Sequence, residues 1–301
     1  MLSNHAKGWL IRQYRCVLRR CMELGFEALI GVLGSVGLLQ AASIVPDGRT
    51  QTQVTVNGSV TDVTTQTIRG INAYNSFSRF NVEVANTVNL HLPGQTSNLL
   101  NLVHDERSYI NGLVNAYQGG RIGGNVFFFN PHGIVVGAGG VLNVGSLTLA
   151  TPTAAYMDRL ISPAGDIDAA TTADALAGHI PLSQTGLVLV KGRINAADAV
   201  SLAGGNIEVA PGARILAGGQ GKVAFADLVN VDGMQTAANV KLEGGVIRIV
   251  AAEDITVAGQ VSADGVGANA HGGMVTVMAE RNANLQAGAV ISANGGDSGD
   301  G

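Results

Sequence analysis

The chain has 301 residues, with 42 glycines, 18 Lys and Arg against 22 Asp and Glu, and a formal net charge of −4. Only 13% of residues are charged and 4% aromatic, which is too apolar for a disordered chain and too glycine-punctuated for a helical one. With no basic excess there is no electrostatic footprint for nucleic acid or an anionic membrane surface, so neither is expected as a partner.

Residues 1–42 read as a signal peptide with an extended basic region. Basic residues continue to Arg19 and Arg20, and an apolar stretch runs from Ala28 to Leu39. Gln40-Ala41-Ala42-Ser43 then offers small residues for cleavage between Ala42 and Ser43. The apolar core is about a dozen residues, short of the roughly 20 that span a bilayer as a helix. Cleavage is therefore expected over retention as an anchor, with the Sec translocon as the first partner. Both cysteines, Cys16 and Cys21, leave with this segment, as does the only tryptophan, Trp9. A cysteine-free body suits a chain that crosses an oxidising compartment unfolded, because no disulfide can lock it halfway.

The body alternates short β-branched runs with turn residues. Gln51 to Val63 alternates Val with Thr, Gln and Ser around Asn57-Gly58, a strong hairpin signal. In 71–92, Phe77, Phe80, Val82, Val84, Val88 and Leu90 are candidates for a buried face. Residues 99–117 are weakly periodic and fit a short helix or further strands. From Asn125 the sequence reads NVFFFNPHGIVVGAGGVLNVGSLTLA. Here Phe127, Phe128 and Phe129 precede a turn, Asn130-Pro131-His132-Gly133, with the residue order of a type I β-turn. Two short strands, Ile134–Val136 and Val141–Val144, follow around Gly137-Ala138-Gly139-Gly140. Residues 151–182 change character: Pro152, Pro163 and Pro181 bracket an alanine- and aspartate-rich run with Tyr156, Leu160 and Ile161 at helical spacing. It reads as a loop or short-helix excursion.

The last third repeats. The run beginning at Ile207 overlays the one at Ile255 after deletion of two positions, and a third copy begins at Leu285. Ile134 opens a matching run. In a second register Gly244-Gly245-Val246 recurs as Gly272-Gly273-Met274. Each copy is a strand, a glycine corner, a strand and another corner. Such a unit is too small to bury its own apolar face and must stack on its neighbours. The expected fold is all-β, a right-handed parallel β-helix carrying short antiparallel strands and hairpins; the alternative, a β-sandwich, would want more two-residue Asn-Gly or Asp-Gly turns.

Chemistry is sparse. Gly296-Asp297-Ser298-Gly299 imitates a serine-protease nucleophile but lies at the chain end with no strand after it to hold an oxyanion hole. His104-Asp105-Glu106 are adjacent, and adjacent strand side chains alternate faces, so they do not converge on a metal. Asp166, Asp168, Asp174 and His179 read as a solvated loop. No catalytic, cofactor or metal site is expected.

Taken together, the basic signal segment, INAYNSFSRFNVEVANTVNLHLP and VFFFNPHGIVVGAGGVLNVGSLTLATPT resemble the two-partner-secretion domain of filamentous-haemagglutinin-like exoproteins. The family turn is usually Asn-Pro-Asn-Gly-Ile; Asn130, Pro131, Gly133 and Ile134 match and His132 departs. A second signature matches at Asn75, Phe77 and Phe80. The resemblance is good over roughly residues 50–160 and continues beyond only as repeat character. It implies an amino-terminal secretion domain, divided here as 43–165 for the signature region and 166–301 for continuing β-helix repeats. Its implied partner is an Omp85-type outer-membrane β-barrel transporter with periplasmic recognition domains. The exoprotein would be secreted or held at the surface of a Gram-negative-type bacterium, an adhesin meeting a host or neighbouring-cell surface. A cytolysin of the same secretion class and a β-helical polysaccharide lyase or hydrolase are the alternatives. On this reading Asn130 to Ile134 form the transporter-recognition turn, while Phe77 and Phe80 are buried and structural. The pattern stops uncapped at Gly301, as expected of an incomplete exoprotein.

Overall fold

A computed structural model of the chain describes residues 43–226, 242–297 and 300–301, the side chains of 225 and 226 excepted. The expected signal peptide and the Ala42 side of its cleavage site lie outside the described residues, as does Ser298. Ser43 opens the first strand.

Parallel pairing organises the described residues into three stacks. The first runs from Asn72–Asn81 through Asn98–Val103 and Asn125–Phe129 to the later halves of Val141–Ala150 and Arg193–Gly204, then Val246–Ala251 and Met274–Ala279. The second runs from Val60–Thr65 through Thr87–Leu92 and Leu113–Gln118 to the earlier halves of the same two long strands. It continues through Arg214–Ala217 and Gln260–Ser262 to Val290–Ser292. The third holds Ser108–Ile110, Ile134–Val136, Leu187–Val190, Asn206–Val209, Asp254–Val257 and Asn282–Leu285. The chain visits the stacks in turn and returns to the first one rung higher, which makes a parallel β-helix. Its inward positions carry Val, Ile, Leu and Ala, with Phe77, Phe80 and Phe128 in the early rungs. Side chains alternate across each strand, so each rung contributes only a few residues to this core and stability comes from stacking.

The amino-terminal end is closed by antiparallel segments. Ser43–Pro46 pairs with Asn72–Asn81, and Thr52–Asn57 forms a hairpin with Val60–Thr65. The hairpin turn sits one residue later than Asn57-Gly58 implied. Asn57 still pairs with Val60, and the two loop residues are Gly58, at φ 62°, and Ser59. Glycine with positive φ at the first loop position gives a type II′ turn, whose twist suits the flanking strands.

Two excursions leave the solenoid. In the first, helix α1 (Ala154–Leu160) is capped by Thr153 and helix α2 (Ala169–Ala177) by Asp168, whose carboxylate accepts from the Thr171 amide. Tyr156, Met157, Leu160, Ile161 and Ala175 pack on the outward side chains Tyr74, Leu100, Leu102 and Phe129 of the first stack and form a second, smaller core. The second excursion contains α3 (Gly219–Ala226).

Of the two readings of residues 99–117, further strands is the one the fold adopts, in Asn98–Val103, Ser108–Ile110 and Leu113–Gln118. Two expectations need correction. Val84 is 69% exposed: the strand ends at Asn81 and Ala85 takes a φ of 65°, so the alternation that buries Phe80 and Val82 does not continue. The third repeat copy is displaced by two residues, since Leu285 stands opposite Val257 rather than Ile255. The 28-residue overlay is correct, with Val246 opposite Met274.

Candidate functional site: the buried signature and the Asn130 turn

The two sequence signatures meet inside the first rungs. Phe77 and Phe80 lie edge-to-face with centroids 5.3 Å apart, and Phe80 meets Phe128 in the same manner at 4.9 Å. All three are buried. Strand parity also turns Asn75 inward, opposite Asn101, which in turn stands opposite Phe128. A buried amide must find partners. The Asn75 Nδ2 donates to Asn101 Oδ1 at 3.0 Å, and Thr52 Oγ1 of the closing hairpin donates to Asn75 Oδ1 at 2.9 Å. Asn101 Nδ2 continues to the Phe127 carbonyl at 3.3 Å. Asn75 thus ties the amino-terminal closure to the rungs above it.

Asn130 begins the corner between the first and third stacks. Gly133 N–H donates to the Asn130 carbonyl at 3.2 Å, closing the expected turn, and Gly133 takes a φ of 108°. The Asn130 side chain is fully buried. Its Oδ1 accepts from the His132 amide at 2.9 Å, and its Nδ2 donates to the Glu106 carbonyl at 2.8 Å and to Ser108 Oγ at 3.0 Å. One side chain therefore shapes its own turn and pins it to the rung beneath. Ile134 is buried in the core, Pro131 half-buried and His132 exposed. The His132 ring reaches the His104 carbonyl through Nε2 at 2.8 Å, and Arg107 Nε donates to the His132 carbonyl at 3.0 Å.

His104, Asp105 and Glu106 diverge. Glu106 pairs with Arg79, Asp105 is exposed, and the His104 ring turns inward. Its Nε2 lies 3.8 Å from Asp47 and its Nδ1 3.9 Å from Asp158 of α1, too far for hydrogen bonds. Arg49 bridges the same carboxylates, at 3.3 Å from Asp47 and 2.7 Å from Asp158. Burial, then the Arg49 charge, holds the His104 pKa below the ordinary histidine value and outweighs the attraction of Asp47, Asp158 and Asp105. The sign follows. A histidine whose folded pKa is depressed binds its proton more readily when unfolded, so its stabilisation is present above about pH 6.5 and declines as pH falls towards the folded value. Thermal unfolding followed from pH 7.5 to 5 should show a midpoint that falls with pH, and the slope should flatten in His104→Gln. An equal slope in the variant removes His104 as its source.

An unanticipated feature is an asparagine ladder on the outside of the second stack. Asn195 donates to Asn143 at 2.9 Å, Asn143 to Asn115 at 3.0 Å, Asn115 to Asn89 at 3.3 Å and Asn89 to the Asp62 carboxylate at 3.1 Å. The amides point the same way, so the donor end of the ladder meets a carboxylate. The signal in the sequence was an asparagine between apolar residues in each of these strands: Val-Asn-Leu, Val-Asn-Ala, Leu-Asn-Val and Ile-Asn-Ala.

The family described as TPS secretion domain matches residues 42–299, nearly the whole chain. The chain belongs to the TPS secretion domain family. As a TPS domain, of the two-partner-secretion class, it is the secretion module of an exoprotein, and the class implies a partner outer-membrane transporter and a Gram-negative source. Among solved structures it is similar to the HMW1 secretion domain from Haemophilus influenzae, at 17% identity and a TM-score of 0.42, covering 85% of this chain and 74% of that one. It is also similar to the filamentous hemagglutinin secretion domain, at 19% identity and a TM-score of 0.43, covering 86% of this chain and 99% of that one. None of the curated proteins matches it.

Proposed function

We propose that this TPS domain heads an adhesin-type exoprotein that enters the periplasm through the Sec translocon, loses residues 1–42 and is passed outward by an Omp85-type barrel. The observation that carries the reading is the burial of Asn75, Phe77, Phe80 and Asn130. Side chains enclosed in the core and the first corners are accessible to a transporter only before the rungs close. In the folded state the turn presents Pro131 and His132 alone. The turn residues Asn130 to Ile134 thus serve recognition in the extended chain and corner formation afterwards, and the cell surface of a host or neighbour is the destination of the folded product.

Co-expression with a candidate barrel tests this. The chain should appear in the medium with Ser43 as its first residue, and Asn130→Ala with Pro131→Ala should retain it in the periplasm. His132→Asn, which restores the usual family turn, should export at least as well as the natural chain. Export that is indifferent both to loss of the barrel and to the double substitution would refute the reading.

A further inference from the structure

Strand edges are normally guarded by charge, proline, a bulge or a covering element, because an open edge recruits another strand. Thr52–Asn57, with the sequence TQVTVN, has none of the first three. One side of it pairs with Val60–Thr65, whose far side is occupied by Thr87–Leu92. Among the described residues no strand pairs with its other side. In a two-residue hairpin the residues flanking the loop exchange both main-chain hydrogen bonds, and bonded and non-bonded pairs then alternate. Asn57, Thr55 and Gln53 therefore bond inward to Val60, Asp62 and Thr64, while the main-chain groups of Val54 and Val56 face the open side. Gln53, Thr55 and Asn57 are exposed, and Val56 is 49% exposed although it shares the core-facing parity of Val54.

We propose that this edge is a self-association surface, occupied by the same strand of a second copy of the chain in antiparallel register about a two-fold axis through Thr55. The choice of a second copy rests on self-complementarity. A two-fold axis normal to the sheet keeps each face on its own side, so even-numbered residues meet even-numbered ones. Centring on Thr55 places Val54 against Val56 of the other copy and Val56 against Val54, and these are the residues with free main-chain donors and acceptors. Thr55 meets Thr55, and Gln53 meets Asn57. Every pair is like with like, with β-branched residues opposed on the core face, amide opposed to amide on the outer face and no charge anywhere. The half-exposed Val56 becomes covered. Because the contact is isologous it closes on itself as a dimer and does not propagate. One strand pair is small beside the roughly 1,200–2,000 Å² of a standard interface, so association depends on concentration and is favoured where copies are crowded.

Cysteine crosslinking of the purified full chain tests the register and needs no transporter. In a background of Cys16→Ser and Cys21→Ser, Thr55→Cys places two thiols at a non-hydrogen-bonded pair, with Cα atoms about 4.5 Å apart and within the roughly 4.4–6.8 Å that a disulfide spans. Asn57→Cys places them roughly 13 Å apart at about 3.4 Å per residue. Thr55→Cys should form a covalent dimer under mild oxidation while Asn57→Cys stays monomeric. The uncrosslinked chain should double in mass with rising concentration, and Val56→Lys should abolish both effects. Val56→Pro, which removes only an outward-facing N–H, should do the same and guards against a lysine variant that fails to fold. A chain monomeric at every concentration overturns the proposal, as does Asn57→Cys crosslinking as readily as Thr55→Cys. In a second reaction with the transporter's periplasmic domain added, Thr55→Cys crosslinking only to that domain also overturns it and would assign the edge to export instead.

Discussion

Truncating Phe80 to alanine should cost about 3–5 kcal/mol of folding stability, the usual range for removing a phenylalanine from a packed core. The upper part of that range is expected, because the ring joins two others. It meets Phe77 from its own strand and Phe128 from the rung two turns later, both edge-to-face, and such pairs add about 0.5–1.5 kcal/mol beyond area burial. The site is also poorly placed to collapse. Ile44, its register partner on Ser43–Pro46, belongs to the antiparallel closure, and the rungs are held at fixed spacing by their main-chain ladders. Denaturant unfolding of Phe80→Ala and Phe127→Ala gives the comparison. Phe127 lies one residue from Phe128 but points outward and is only half-buried against the smaller core, so its loss should be clearly the lesser. Equal losses would mean that the inner aromatic chain has no special part in holding the first rungs.

Much of this architecture was legible because a solenoid writes its period into the sequence. The recurrence of Gly244-Gly245-Val246 at Gly272-Gly273-Met274 is a strand start repeated in the same stack, and pairing puts Val246 opposite Met274. The error at Leu285 arose from corners, which are under weaker constraint than strands. The corner after Val257 runs through Ala258 and Gly259 to Gln260, whereas the one after Leu285 is longer before Val290. Text alignment absorbed that difference in the wrong strand. Val84 failed for a related reason, since period-two alternation is a property of continuous strand and stops where Ala85 reverses the backbone. The asparagine ladder went unread because its members are 26, 28 and 52 residues apart, and single polar residues in apolar strands look like solvent-facing positions until stacking brings them together.

The Asn130 turn was legible as a turn but not as a staple, and replacing Asn130 should separate the two roles. Asn130→Ala removes the donor to the Glu106 carbonyl and Ser108 Oγ and the acceptor for the His132 amide. Groups left unsatisfied away from water cost about 1–3 kcal/mol each, so a total loss of about 3 kcal/mol is expected, read from denaturant unfolding of the purified variant. Asn130→Asp is the more discriminating change, being nearly the same size. It keeps an acceptor for the His132 amide but turns a carboxylate oxygen towards the Glu106 carbonyl, where the amide had donated. At neutral pH this variant should be no more stable than Asn130→Ala despite its better fit. As pH falls through the carboxylate range the acid gains a proton that it can donate to the Glu106 carbonyl, so the aspartate variant should recover relative to the alanine one while the natural chain shows no such gain. If Asn130 served only as a contact for the transporter, both variants would fold with the stability of the natural chain and differ from it in export alone. Loss of stability in the order stated, with pH-dependent rescue confined to aspartate, would place the residue in the corner itself, where a defect in folding outside the cell and a defect in recognition inside it become separately measurable.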